Sequence, residues 1–214
     1  PERNAMILAS GSPRRLELLR QMGFSPVVRP ANIDETPHPG ESPTDLVLRL
    51  ARQKARACEK GLPEKLLGQV VIAADTTVWI DGLELGKPHD DEDARAMLTR
   101  LSGRTHHVST GVCMLAPAGE ASFVETSSVT FFELSPDQID AYVQSGEPRD
   151  KAGSYGIQGR GRLLVSGIEG DYFNIVGLPV ARLARELDAL VGEDAGGEAS
   201  VVCGALRGEP CLGR

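Results

Sequence analysis

The stretch Ile7-Leu8-Ala9-Ser10-Gly11-Ser12-Pro13-Arg14-Arg15-Leu16 reads as a short buried strand, a tight turn and the opening of a helix. Ser12 is a good N-cap, and Pro13 suits the first helical position because its missing N–H would be unpaired there. Leu16, Leu19 and Met22 recur at helical spacing, and Gly23 is a natural stop. Arg14 and Arg15 therefore fall in the first helical turn, where the helix dipole is already positive. That placement is unfavourable by up to about 1 kcal/mol per charge unless an anion lies there. Backbone amides, the hydroxyls of Ser10 and Ser12 and two guanidinium groups would together make a phosphate site. The alternative is that both arginines extend into solvent.

A second strand end carries chemistry of the opposite sign. Val70-Val71-Ile72-Ala73-Ala74 is a continuous apolar run, the pattern of a strand buried on both faces. Asp75 follows at its carboxyl end, where open α/β sheets place ligand sites. Thr76, Val78 and Ile80 continue in extended alternation to Asp81-Gly82, a hairpin signal. Antiparallel pairing around that turn sets Ile80 opposite Leu83 and Val78 opposite Leu85, and then Lys87 opposite Thr76, beside Asp75. Such a pair is either a cross-strand salt bridge or part of an active site.

Between these two signals, Pro26 to Arg29 reads as a strand and Pro30 to Glu41 as a polar loop holding Asp34 and Glu35. Ser42-Pro43-Thr44-Asp45 opens a helix that buries Leu46, Val47, Leu50, Ala51 and Cys58. Lys54 lies on that inward stripe, whereas Arg49, Arg52, Gln53 and Arg56 lie off it. Its ammonium either snorkels from the edge or needs an anionic partner.

Downstream, the acidic run Asp90-Asp91-Glu92-Asp93 starts a helix that ends at Gly103. His106 and His107 begin a strand running towards Leu115, and no metal-ligand spacing joins them to His38 or His89. Ala121 to Leu134 reads as a further strand, and Ser135-Pro136-Asp137-Gln138 starts a helix that stops at Gly146. The loop Asp150 to Gly161 is glycine-rich but is neither a Walker loop nor a dinucleotide fingerprint. Leu163 to Val165 and Tyr172 to Val176 read as strands, with Glu169-Gly170-Asp171 as their turn. Pro179 opens the last helix, with Val180, Leu183, Leu187 and Leu190 inside. Beyond it, residues 192–214 are glycine-rich without periodicity and read as a mobile tail. Helices alternating with strands early and hairpins later indicate a mixed α/β sheet flanked by helices.

A chain of 214 residues with a formal net charge of −7 and only 4% aromatic residues lacks the basic surplus of a nucleic-acid binder. No apolar run approaches the roughly 20 residues that span a bilayer, and the first five residues do not resemble a signal peptide. Cys58, Cys113, Cys203 and Cys211 show neither metal nor redox spacing. A pairing of Cys203 with Cys211 has no support over two free thiols, and the expected location is the cytoplasm.

Taken together, several segments resemble the Maf family of nucleoside triphosphate pyrophosphatases. They are Ala9-Ser10-Gly11-Ser12-Pro13-Arg14-Arg15, Ala74-Asp75-Thr76, Asp81-Gly82 with Gly86-Lys87-Pro88, and Leu101-Ser102-Gly103-Arg104. Asp150-Lys151-Ala152-Gly153, Tyr155-Gly156-Ile157-Gln158-Gly159, and Gly170-Asp171-Tyr172 with Gly177-Leu178-Pro179 complete the set. The resemblance spans roughly residues 7–191, which places one domain at 6–191 and leaves the 192–214 tail outside it. It implies an elongated mixed α/β fold related to inosine triphosphate pyrophosphatases, with two lobes, a cleft and a homodimeric assembly. It further implies metal-dependent hydrolysis of a nucleoside triphosphate to the monophosphate and pyrophosphate, with Mg²⁺ or Mn²⁺ as cofactor. The implied substrates are dTTP, UTP and modified pyrimidine nucleotides, in a house-cleaning role.

Carried over by position, Asp75 matches the family's general base, and Glu35, Lys54 and Lys87 its other catalytic positions. Asp75 and Glu35 would hold the metal. Ser10 and Arg15 match the phosphate-binding opening, and Arg14, Thr76 and Gln158 the positions that mark the dTTP/UTP subfamily. The alternatives are a 7-methyl-GTP-type pyrophosphatase, or a nucleotide-binding regulator of cell division without turnover. Physical chemistry agrees with the carried-over roles, because polyphosphate hydrolysis needs charge neutralisation and a positioned water more than covalent chemistry. No nucleic-acid or membrane partner is expected.

Overall fold

In a computed structural model that describes residues 6–192 and 200–208, the chain forms a mixed α/β structure around a seven-stranded sheet. In chain order, β1 (Ile7–Leu8) leads into α1 (Pro13–Gln21), then β2 (Val27–Val28) and α2 (Pro43–Lys60). The hairpin β3 (Val71–Ile80) and β4 (Leu83–Leu85) is followed by α3 (Asp91–Leu101). Two long strands, β5 (Thr105–Ala116) and β6 (Gly119–Phe131), precede α4 (Pro136–Gln144), β7 (Val165–Glu169), α5 (Tyr172–Val176), α6 (Val180–Gly192) and α7 (Val201–Arg207). The strand order is β2-β1-β3-β5-β6-β7, with β4 added beside β3. Only the β2-β1-β3 pairings are parallel.

One edge of β3 is incompletely covered, and this gap organises the molecule. Its other edge is paired with β5 from Val71 through Trp79. On the open side, β1 pairs only with Val71 and Ile72, and β4 only from Val78 onward. Residues 73–77 therefore have no strand partner on that side among the described residues. Two apolar clusters flank the gap. One packs Ile72, Ala74, Val112 and Met114 under α1 and α6, through Leu18, Leu19, Leu183 and Leu187. The other packs Val78, Ile80, Val108, Val129 and Phe131 against α3 and α4. On the opposite face of the sheet, Val71, Ala73 and Cys113 meet Ala51, Ala55 and Cys58 of α2. The period-2 alternation of β3 thus sends Asp75 to the α2 face and Thr76 to the α1–α6 face.

Helix α2 lies unusually close to the sheet because β5 carries Gly111 there, directly across the ladder from Asp75. A Cβ at Gly111 would overlap the backbone of Val47 and Leu48. His106 is buried as a core residue, with its Nε2 2.8 Å from the Tyr155 hydroxyl and its ring edge-on to Phe131.

Three expectations change. Tyr172–Val176 alternates like a strand but forms α5, because the Asp171 carboxylate accepts from Phe173 N–H at 2.8 Å and buried Asn174 bonds into the sheet. Arg160–Leu164 is a 3₁₀ segment, so the strand expected over Leu163 to Val165 begins only at Val165. Within the presumed tail, Ser200 caps α7, whose Val201 is buried and whose first amides bond the Asp188 carboxylate on α6. Gly204 and the capping Ser200 obscure that short helix in the sequence. A Cys203–Cys211 pairing lies outside the described residues, and Cys58, Cys113 and Cys203 are free thiols.

Candidate active site

At the amino end of α1, the Ser12 hydroxyl accepts from the Arg15 amide, and Ser12 N–H donates to the Ser10 hydroxyl at 3.2 Å. The Arg15 side chain turns inward. Its Nε donates to the Gly177 carbonyl at 2.8 Å, Nη1 to Ser10 Oγ at 3.0 Å and Nη2 to Thr76 Oγ1 at 2.9 Å. Burial pushes the Arg15 pKa down, while Asp75 and Glu35 oppose that shift and Arg14 adds to it. Those charges place Asp75, Glu35 and Arg14 around the same guanidinium. Arg15 uses three of its five N–H donors on the protein, which leaves two for a ligand.

Thr76 is held by the same network. Thr110 gives its proton to the Asn174 carbonyl at 3.2 Å, so the 2.8 Å contact between the two threonines has Thr76 donating. Among the described residues the only other acceptor in reach of Thr76, the Gly177 carbonyl, is 3.5 Å away. The Thr76 hydroxyl therefore points its proton into the protein and positions Arg15, a role the sequence does not reveal.

On the α2 face, Lys54 Nζ lies 2.6 Å from Asp75 Oδ1 and 2.8 Å from Glu35 Oε1. The lysine and aspartate side chains are only 12% and 16% exposed, so their attraction is less screened than at an open surface. Of the two readings of Lys54, the structure has the one with anionic partners. Glu35 reaches it because its loop is pinned to α2. Arg49 forms a fork with Glu41, Nε–Oε1 2.6 Å and Nη2–Oε2 2.7 Å, and also donates to the Thr36 carbonyl at 3.1 Å. Asp34 accepts from Thr36 N–H at 2.9 Å and so shapes the loop.

The other predicted residues are placed differently. Lys87 is exposed and, among the described residues, has no ion pair or hydrogen bond to Asp75, since β4 ends at Leu85 and Gly86-Lys87-Pro88 leaves the ladder. Arg14 is half-buried and, among the described residues, has no hydrogen bond or ion pair to hold it. Gln158 is exposed on the glycine-rich loop, next to Ile157, which packs against both core clusters at their junction. Sequence reasoning missed Thr110, Gly177, Arg49 and Glu41, whose contacts span many residues of chain. It also missed Glu147, whose signal is the run of glycines that accommodates it.

The fold and site define a mixed α/β protein with a candidate anion site at an interrupted strand edge, a buried arginine on Thr76 and an acid–lysine–acid cluster on the neighbouring Asp75. Residues 5–190 match the Maf-like protein family, and the chain belongs to that family. It is 51% identical over 187 residues to a dTTP/UTP pyrophosphatase of Anaeromyxobacter sp., covering 85% of this chain and 87% of the relative. A dTTP/UTP pyrophosphatase of Moorella thermoacetica is 50% identical over 194 residues, covering 90% and 97%. One of Bacillus cereus is 48% identical over 182 residues, covering 85% and 93%. Among solved structures, the Staphylococcus aureus Ham1 protein aligns with TM-score 0.44 at 17% identity, over 60% of this chain and 72% of that one.

Proposed function

We propose that this protein hydrolyses dTTP, UTP and modified pyrimidine nucleoside triphosphates to the monophosphate and pyrophosphate, a house-cleaning activity carried by residues 6–191. The observation that carries the reading is the Glu35–Lys54–Asp75 cluster facing buried Arg15 across the β3 gap, in a chain half identical to relatives bearing that name. Asp75 is the general base: its carboxylate takes a proton from the water that attacks the α-phosphorus, and pyrophosphate leaves with the bonding pair. Lys54 holds that carboxylate in place through the 2.6 Å ion pair. Ser10, the two free N–H groups of Arg15, and Lys87 bind phosphate oxygens, while Arg14 and Gln158 meet the nucleoside end.

A divalent cation, Mg²⁺ or Mn²⁺, fits the donors present. Glu35 and Asp75 are brought to a single ammonium, and two carboxylates completed by substrate oxygens and water are what Mg²⁺ ordinarily accepts. Among the described residues there is no cluster of three or more acidic, histidine or cysteine ligands, so the substrate would supply the rest of the shell. When bound, the ion would neutralise phosphate charge and acidify a bound water. In this reading the protein works in the cytoplasm as a homodimer. Among the described residues no helix is long and apolar enough to cross a membrane, and the outer strand β7 leaves Ile168 exposed, as are Leu163 and Tyr172.

A panel of nucleoside triphosphates at equal concentration, with and without Mg²⁺ or Mn²⁺, tests the reading by pyrophosphate release. Turnover of dTTP and UTP with metal, falling by about a thousandfold in Asp75→Asn with the fold retained, is the expected result. A clear preference for 7-methyl-GTP, or tight binding without turnover, would overturn it.

A further inference from the structure

The glycine-rich loop is expected from its sequence to be an ordinary flexible connection, yet it is gripped from two sides. The Glu147 carboxylate accepts from the Arg160 amide at 2.8 Å, the Gly161 amide at 3.2 Å and the Tyr142 hydroxyl at 2.9 Å. Tyr142 in turn accepts from the Gly156 amide at 3.1 Å. On the other side, the Arg162 guanidinium donates from Nε to the Gly159 carbonyl at 2.8 Å and from Nη2 to the Gln158 carbonyl. A Cβ at Gly159 would collide with the Glu147 carboxylate, and one at Gly161 with the Tyr142 hydroxyl, so the close approach depends on glycine. The same short segment is tied to the hairpin, because Gly153 N–H donates to the Gly86 carbonyl at 3.0 Å, one residue before Lys87.

We infer that Glu147 and Arg162 are positioning residues for base selection: they fix the backbone from the Gln158 carbonyl to the Gly161 amide, while Tyr142, itself bonded to Glu147, holds Gly156 before it, and so they set where the Gln158 side-chain amide meets the pyrimidine. This rests on the reading that Gln158 contacts the base. Arg162 holds the Gln158 and Gly159 carbonyls and Glu147 the Arg160 and Gly161 amides, while the Arg162 amide adds a backbone bond to the Gly159 carbonyl at 3.3 Å. The Gln158 side chain itself has no partner among the described residues. Its backbone is therefore fixed while its recognition group stays available, the arrangement that lowers the ordering cost on binding. Neither Glu147 nor Arg162 needs to touch substrate for this role.

The test compares Glu147→Gln, Arg162→Met and Gln158→Ala by steady-state kinetics with dTTP, UTP and dGTP, using inorganic tripolyphosphate as a base-free competitive inhibitor. Glutamine keeps one acceptor and replaces the other by an amine that faces an N–H. Arg162 is exposed, so its variant tests the same idea if Glu147→Gln does not fold. The expected result is a KM for dTTP and UTP raised about tenfold with little change in kcat, as for a lost bond to a charged group. The tripolyphosphate inhibition constant should stay at its wild-type value, and pyrimidine preference should fall towards that of Gln158→Ala. Faster hydrogen exchange at the Arg160 and Gly161 amides of Glu147→Gln should accompany it. If Gln158→Ala loses preference while both clamp variants keep it, or if tripolyphosphate binding weakens together with KM, the inference is overturned. If Gln158→Ala keeps wild-type preference, the base-contact reading falls, and the clamp's part in selection falls with it.

Discussion

At the scale of single residues, Lys54 shows how far periodicity carries. Its place four residues after Leu50 and three after Ala51 put it on an inward stripe, and the structure supplies two carboxylates there, from Asp75 and Glu35. Asp75 is legible as the residue that ends an apolar run, but β3 continues through it to Ile80, so it stands mid-strand beside the gap rather than at a strand's carboxyl end. Lys87, the partner the hairpin register predicts, does not pair with Asp75, because Gly86 and Pro88 let the chain leave the ladder after Leu85. Thr76 was legible as a residue beside Asp75 but not in its role, which depends on Thr110 across the ladder and on Gly177 in a distant loop. Donor counting makes a prediction here. In Thr110→Val the Thr76 proton loses its acceptor and turns towards the Gly177 carbonyl, in competition with Arg15 Nε. Loss of that ordered bond should lower kcat/KM for dTTP by about tenfold. Thr110→Ser should retain wild-type activity, and thermal unfolding should report an intact fold in both.

At the scale of elements, the site exists because α2 can approach the sheet closely and because the loop before it is tied down. The closeness rests on Gly111, whose missing Cβ leaves room for the Val47 backbone. Gly111→Ala should therefore destabilise the protein by about 3 kcal/mol, the upper range for overpacking, since backbone rather than a flexible side chain must move. Urea unfolding measures this, and dTTP turnover should fall with it as α2 lifts Lys54 from Asp75. The loop depends on the Arg49–Glu41 fork. Its hydrogen bonds hold the Glu41 pKa down to about 2 from an ordinary 4.5, against the upward pull of burial. A carboxylate depressed in the folded state stabilises fully above its unfolded pKa and loses that contribution as pH falls through its folded one. The loss should thus run from about pH 4.5 down to about pH 2. Glu41→Gln should remove that part of the acid dependence of Tm, and an unchanged profile would contradict the assignment. Elements with strong local signals were legible, among them α1, α2 and the β3–β4 turn. Helix α5 was not, because Tyr172, Phe173, Ile175 and Val176 favour a strand by type, and only the Asp171 cap and buried Asn174 decide otherwise.

At the scale of the whole molecule, the strands β3 and β5 run through both apolar clusters, so the gap that holds Asp75 is supported from two cores at once. The core on the α3–α4 side contains a titratable group. His106 is fully buried between Phe131 and Tyr155, and its Nδ1 has no hydrogen-bond partner among the described residues. Burial pushes its pKa from 6.5 to about 4, with His107 adding to the shift. The folded protein therefore keeps His106 neutral where the unfolded chain would protonate it. Between about pH 6.5 and pH 4 the unfolded state binds the extra proton, so stability falls as the solution is acidified through that window and levels off below it. The full effect is about 3 kcal/mol, one proton across a shift of that size. Denaturant unfolding of the wild type and of His106→Gln at pH 7 and pH 4.5 measures it as a difference, which cancels the contribution of the carboxylates common to both. The wild type should lose more stability than the variant on acidification, by nearly that amount. Because β3 and β5 are shared, the loss should also be felt at Asp75, as a steeper fall of thermal inactivation temperature with acid in the wild type than in His106→Gln. Equal pH slopes for the two proteins would mean that His106 takes up its proton in the fold at the same pH as in the unfolded chain, against the shift assigned to it.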